Sequence, residues 1–108
     1  MYEVRDKGKI AYFTMIPNMV DDADLSAYAF RLYVHLKRVA GETVQCWQSQ
    51  DSLEKACRMS NRTIVKAKRE LINAGLIQIE VRPVNGHSGH LITINDIWNK
   101  NNECYGVY

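Results

Sequence analysis

Four side chains able to grip anions or hydrogen-bonding edges recur at a helical beat in the middle of the chain. Arg62, Lys66, Arg69 and Asn73 are spaced four, three and four residues apart, which puts them on one face at 3.6 residues per turn. A guanidinium is a planar fork of donors, an ammonium is a point charge, and a carboxamide both donates and accepts. A cationic stripe ending in an amide is the equipment of a helix that lies in a DNA groove. From these residues alone, a solvated charged face is the plain alternative.

The stripe needs a helix to carry it, and the flanking residues supply one. Ser60 is a strong N-cap, because its hydroxyl can accept from the free amides of the first turn. Gly75 ends the helix just before Leu76. Ile64, Ala67, Leu71 and Ala74 fall opposite the stripe and predict a face packed on a core. Lys68 stands off the stripe, where its ammonium would have to snorkel past the core.

Upstream, Lys9 to Ile16 reads as a short strand closed by Pro17-Asn18, and Asp21 to Asp24 as an acidic loop. Ser26 caps a helix running to about Ala40 and ended by Gly41, with Leu25, Ala29, Leu32 and Leu36 inward. Phe30 and Val34 add apolar surface on its far side. Either the first strand covers them or a partner subunit does. Thr43 to Trp47 is a short extended piece. Ser49 then caps a helix through Ala56, and Cys57-Arg58-Met59 connects it to the basic helix. Two helices joined by three residues, the second amphipathic and basic, make a helix-turn-helix. If Arg58 is left-handed in that connection, its Cβ costs roughly 1 kcal/mol.

After Leu76 the period switches to two. Ile77, Ile79 and Val81 alternate with Gln78, Glu80 and Arg82, Pro83 to Gly89 reads as a turn cluster, and Leu91, Ile92 and Ile94 return as a second strand. The tip of this hairpin carries Arg82, Asn85, His87, Ser88 and His90. Asp96-Ile97-Trp98 reads as one anchoring turn. The expected organisation is a tail at 1–8, one domain at 9–98, and a flexible tail or start of a linker at 99–108.

With 108 residues the chain suits a single modest core. No apolar run is long enough to span a membrane, and the charged N-terminus lacks the apolar region of a signal peptide, so a cytoplasmic location is expected. Cys46, Cys57 and Cys104 fit neither a disulfide framework nor a zinc site. His87 and His90 lack a third ligand at sensible spacing, so no metal is expected. The net charge of +2 hides its distribution. Residues 1–57 carry −1, residues 58–82 carry +4 and residues 83–108 carry −1, which concentrates positive charge on the basic helix and the residues just after it. Neither a phosphate loop, a paired-carboxylate context nor a Ser/His/Asp order is present. No enzyme activity, cofactor or small-molecule substrate is therefore expected.

Helix, helix-turn-helix and hairpin, in that order, predict an α+β fold: a winged helix-turn-helix of three main helices, a C-terminal β-hairpin wing and a short N-terminal strand. Ser60-Asn61-Arg62-Thr63-Ile64 and Glu70 to Ile77 (ELINAGLI) resemble the two ends of the winged-helix recognition helix. Phe13 to Pro17 (FTMIP), Leu25-Ser26 and Trp47-Gln48-Ser49 resemble the N-terminal domain of phage and plasmid replication initiators, the DnaD-like replisome organisers. The resemblance spans about residues 10 to 95. It implies double-stranded DNA as partner, with replisome proteins or a second copy of the chain as further partners. It places Asn61, Arg62, Lys66 and Arg69 in the major groove, with Ser60 and Asn73 at the ends of that helix. Arg62 would read guanine and Asn61 adenine, while Lys66 and Arg69 would meet phosphates. Ser49 and Gln50 would offer a hydroxyl and backbone amides to a phosphate, and Arg82, Asn85, His87 and Ser88 would lie along the backbone or minor groove. A winged-helix transcriptional regulator and a protein-interaction module in replisome assembly are the alternatives.

Overall fold

The computed structural model describes the backbone at residues 1–41, 45–47, 49–84 and 87–106, and the side chains among these outside 42–48 and 84–88. In chain order the elements are α1 (Asn18–Asp22), α2 (Ala27–Ala40), β1 (Gln45–Trp47), α3 (Gln50–Cys57), α4 (Asn61–Asn73), β2 (Ile77–Val84), β3 (His87–Ile94) and α5 (Trp98–Tyr105). The strands form one antiparallel sheet in the order β1-β3-β2. Helices α2, α3 and α4 followed by the β2–β3 hairpin make an α+β winged helix-turn-helix.

Each of the three main helices starts where its serine requires. The hydroxyls of Ser26, Ser49 and Ser60 accept from the amides of Ala29, Ser52 and Thr63 at 3.1–3.2 Å. Helix α4 closes in a Schellman motif. The Leu76 amide donates to the Leu71 carbonyl and the Gly75 amide to that of Ile72, with Gly75 at φ 75°. Asn95, at the end of β3, donates its side-chain amide to the Gly75 carbonyl, and its backbone amide to that of Leu76. The exit of α4 is thereby pinned to the sheet. Ala74, expected inward, is exposed, because the helix has already ended and the chain is turning there.

The turn between α3 and α4 repeats this closure with a different residue. The Met59 amide reaches the Glu54 carbonyl at 3.1 Å, Met59 is buried, and Arg58 takes the left-handed position at φ 56°. Arg31 of α2 donates to the Ala56 carbonyl at 3.2 Å, setting a cation on the C-terminal end of α3.

The core lies where these helices meet the sheet. Leu32, Leu36, Leu53, Ile64, Leu71, Ile77 and Ile92 are fully enclosed, and so is Tyr33, a core residue that the apolar period of α2 passes over. Burial pushes the Tyr33 phenol above its usual range. Leu91 and Ile92, on opposite faces of β3, are both buried.

A bond across 44 residues sets how α2 and α4 sit together. The Glu70 carboxylate accepts from the Ser26 amide at 2.5 Å and from its hydroxyl at 2.7 Å. This is the reciprocal half of a capping box, supplied by another helix because α2 has Ala29 where a local glutamate would stand. The backbone bond and then the side-chain bond hold the Glu70 carboxyl below its ordinary range, against a smaller opposing effect of desolvation.

Three expectations are corrected. Residues 9–16 form no strand. They join no sheet, Tyr12 sits at φ 53°, and Ile10, Phe13 and Met15 are exposed, so of the segment's large apolar residues only Ile16 packs against the core. The sheet position beside β3 belongs to β1 instead, with Gln45 opposite Thr93 and Trp47 opposite Leu91. Phe30 is nonetheless half-buried against the core. Second, Asp21 and Asp22, expected in an acidic loop from Asp21 to Asp24, belong to α1, while Ala23 and Asp24 lie outside it. Third, the tail expected to be flexible is helical through Tyr105. Asn101 accepts from the Met19 amide at 2.9 Å, the Tyr105 hydroxyl donates to Asp22, and the Lys37 ammonium sits 5.3 Å from the centre of the Trp98 ring.

Arg58→Gly removes a left-handed Cβ worth about 1–2 kcal/mol, offset by the roughly 0.5–1 kcal/mol that a more flexible unfolded chain costs. A net gain of about 0.5–1 kcal/mol in denaturant unfolding is expected. Glu70 has a depressed folded pKa, so its contribution is full above about pH 4.5 and fades as pH falls through the folded value. Glu70→Gln should therefore be less stable than wild type at pH 7, with the gap narrowing as pH falls below the ordinary carboxylate range. A gap independent of pH would mean that the carboxylate charge is irrelevant to the bond.

Candidate nucleic-acid interface

Burial of Ile64, Ala67 and Leu71 turns the opposite face of α4 outward. Arg62, Lys66, Arg69 and Asn73 are all exposed on it, and among the described residues none of the three cations enters an ion pair. Asn61 opens the helix and Asn73 closes it, about 18 Å apart at 1.5 Å per residue. The stripe is also partly apolar: Val65 and Ile72 are 46% and 44% exposed between the charges. Alternation of charge with half-exposed methyl groups suits a surface that meets both phosphates and thymine methyls.

The two cap serines are less available than their types imply. Ser60 accepts from the Thr63 amide and lies 3.0 Å from the Thr63 hydroxyl. The Ser49 hydroxyl accepts from the Ser52 amide and donates to the Ser52 hydroxyl at 2.8 Å. Asp51, in the first turn of α3, already sets a carboxylate at that helix N-terminus.

Gln50 and Asn61 are joined, which their positions in the sequence do not reveal. The Gln50 side-chain amide donates to the Asn61 carbonyl oxygen at 2.7 Å, and the Lys68 ammonium donates to the Gln50 carbonyl oxygen at 2.9 Å. Lys68 is 8% exposed, and burial lowers its pKa. Its ammonium therefore ends on Gln50 rather than in the solvent that snorkelling would reach. Gln50 and Lys68 edge a notch of about 320 Å³ between α4 and the wing, bounded also by Val65, Arg69, Ile72, Ile79 and His90.

The wing is a ladder that runs to Val84 opposite His87. Pro83 pairs with Ser88 inside the strands, so the segment expected as a turn from 83 to 89 is mostly sheet, and proline is tolerated because β2 is an edge strand. Val81 is exposed despite its place in the apolar alternation. Arg82 is exposed and bonded to Glu80 two residues back, at 2.8–2.9 Å. An exposed pair of this kind is worth at most about 1 kcal/mol, so Arg82 can exchange its partner. Asn85 lies outside the described residues, as do the side chains of His87 and Ser88. Among the described residues, no helix is long and apolar enough to cross a membrane.

A family model described as a helix-turn-helix domain matches residues 23–77, a little over half of the chain, from the approach to α2 through the first residue of β2. No curated protein and no solved structure matches the chain.

Proposed function

The chain belongs to the helix-turn-helix domain family, and from that premise we propose that it is a double-stranded DNA-binding module rather than an enzyme. It lays α4 in the major groove and the β2–β3 wing against the neighbouring backbone. The observation that carries this reading is the stripe of Arg62, Lys66 and Arg69 on a helix whose other face is core. All three are exposed and, among the described residues, enter no ion pair. Positive charge that merely solubilised the surface would be interspersed with carboxylates. Here the only acidic residue of α4, Glu70, is turned away onto Ser26. Lys66 and Arg69 are assigned to phosphates. Arg62, in the first turn, is assigned to a base edge.

The finer reading is the origin-binding part of a phage- or plasmid-type replication initiator. Its support is the resemblance of Phe13 to Pro17, Leu25-Ser26 and Trp47-Gln48-Ser49 to such proteins. The recognition-helix pattern by itself serves a transcriptional regulator equally well. Footprinting across a replication origin and across promoters of the same replicon separates the two.

Replacing Lys66 and Arg69 together by alanine should weaken binding to every duplex. It should also flatten the dependence of log K on log salt by about two units, since each phosphate contact contributes roughly 0.9. A folded double variant with unchanged affinity and slope would remove α4 from the groove. Arg62→Ala should cost about 1–3 kcal/mol on a selected site and far less on random duplex. Equal losses on both would make Arg62 a phosphate contact.

A further inference from the structure

We propose that Lys68 fixes the hydrogen-bonding direction of Asn61, so that Asn61 meets the base edge as a donor and selects guanine over adenine. The inference rests on the duplex-binding reading and deepens it by assigning a specificity-determining relay. An ammonium has three donors and no acceptor, so Lys68 can face only the carbonyl oxygen of Gln50. That orients the Gln50 NH2 toward Asn61, where it donates to the Asn61 carbonyl oxygen. The Asn61 NH2 is left as the outward group at the first residue of α4.

Each link is forced by the one before it, and the direction is anchored by a charge that cannot turn round. Lys68 is buried and Gln50 is half-buried, whereas Asn61 is exposed, so the relay runs from the interior to the surface. Adenine offers an acceptor at N7 beside a donor at N6, and an asparagine reading both must present its carbonyl and its NH2 side by side. In this chain Gln50 takes one of the two acceptor positions of the side-chain carbonyl and turns the oxygen to its own side, which disfavours presenting it beside the NH2. Guanine offers two neighbouring acceptors, N7 and O6, which a donor can use without a carbonyl beside it. Lys68 is thus a positioning residue that touches no DNA, and the adenine assignment for Asn61 gives way to guanine.

The test reads base preference within each protein, so a uniform change in affinity does not disturb it. The chain is offered a randomised duplex library, and the bound fraction is sequenced. The position read by Asn61 is the one whose preference collapses in Asn61→Ala. Wild type should favour guanine over adenine there by about tenfold or more. Gln50→Glu keeps a partner for Lys68 but has no donor, so Asn61 must turn its NH2 inward and present its carbonyl. The preference should then invert toward bases that carry a donor, cytosine and adenine. Lys68→Met frees Gln50 to turn either way and should shrink the discrimination to within about twofold. Adenine selected by wild type, no base preference lost in Asn61→Ala, or guanine retained in Gln50→Glu would each overturn the relay while leaving duplex binding intact. Failure of wild type to retain any duplex would overturn the duplex reading and the relay together.

Discussion

The rotation of α4 is set by its buried face and locked at the rim by one carboxylate. Glu70 is held by both the amide and the hydroxyl of Ser26, and it follows Arg69 directly in the sequence. Holding one residue of a helix against a fixed point sets the rotation of all the others, because successive side chains step by about 100°. The buried residues Ile64, Ala67 and Leu71 turn the apolar face of α4 inward, and the two-point hydrogen bond of Glu70 adds a directional lock to that packing. The same bond completes the N-terminal cap of α2, so the entry of one helix and the rotation of the next are one constraint. Fixing the outer face in advance reduces the ordering cost of binding.

The elements legible in the sequence are those whose signals are local. Ser26, Ser49 and Ser60 cap the helices they precede, and Gly41 and Gly75 end the helices they follow. The left-handed turn at Arg58 is raised by the sequence only as a condition, and its φ of 56° meets it. The stripe from Arg62 to Asn73 needs only the helical period. The alternation after Leu76 locates the wing, although the turn signals around it overstate the length of its loop. Pro83 suggests that the strand has stopped, yet it pairs with Ser88 on the open edge of the sheet.

The hidden part depends on partners far away in the chain. Aromatic and β-branched residues at 9–16 have strand propensity, but a strand also needs a free neighbour, and β1 pairs where one could have formed. Residues 98–105 lack a clear apolar period, so nothing local predicts that Asn101 will cap α1 across 82 residues. Tyr33 looks amphipathic in sequence and is enclosed only because α2 is covered on more than one side. Within the interface, Gln50 and Lys68 are 18 residues apart on different helices, and their union with Asn61 comes from how α3 packs on α4.

The pairing of α1 with α5 has a mechanical consequence. These two short helices flank the compact part of the chain and are clasped by the Asn101 and Tyr105 side chains. Tension applied between residues 17 and 106 therefore loads this clasp before it reaches the sheet or the packing of α2 on α4. The Tyr105 bond is exposed and the Asn101 bond half-buried, and α5 buries no residue whereas α1 sets Val20 in the core, so the clasp gives way from the α5 side. Under load the ends part first, as a fuse does. Helix α4, pinned at Glu70 and at Gly75, keeps its shape while they separate.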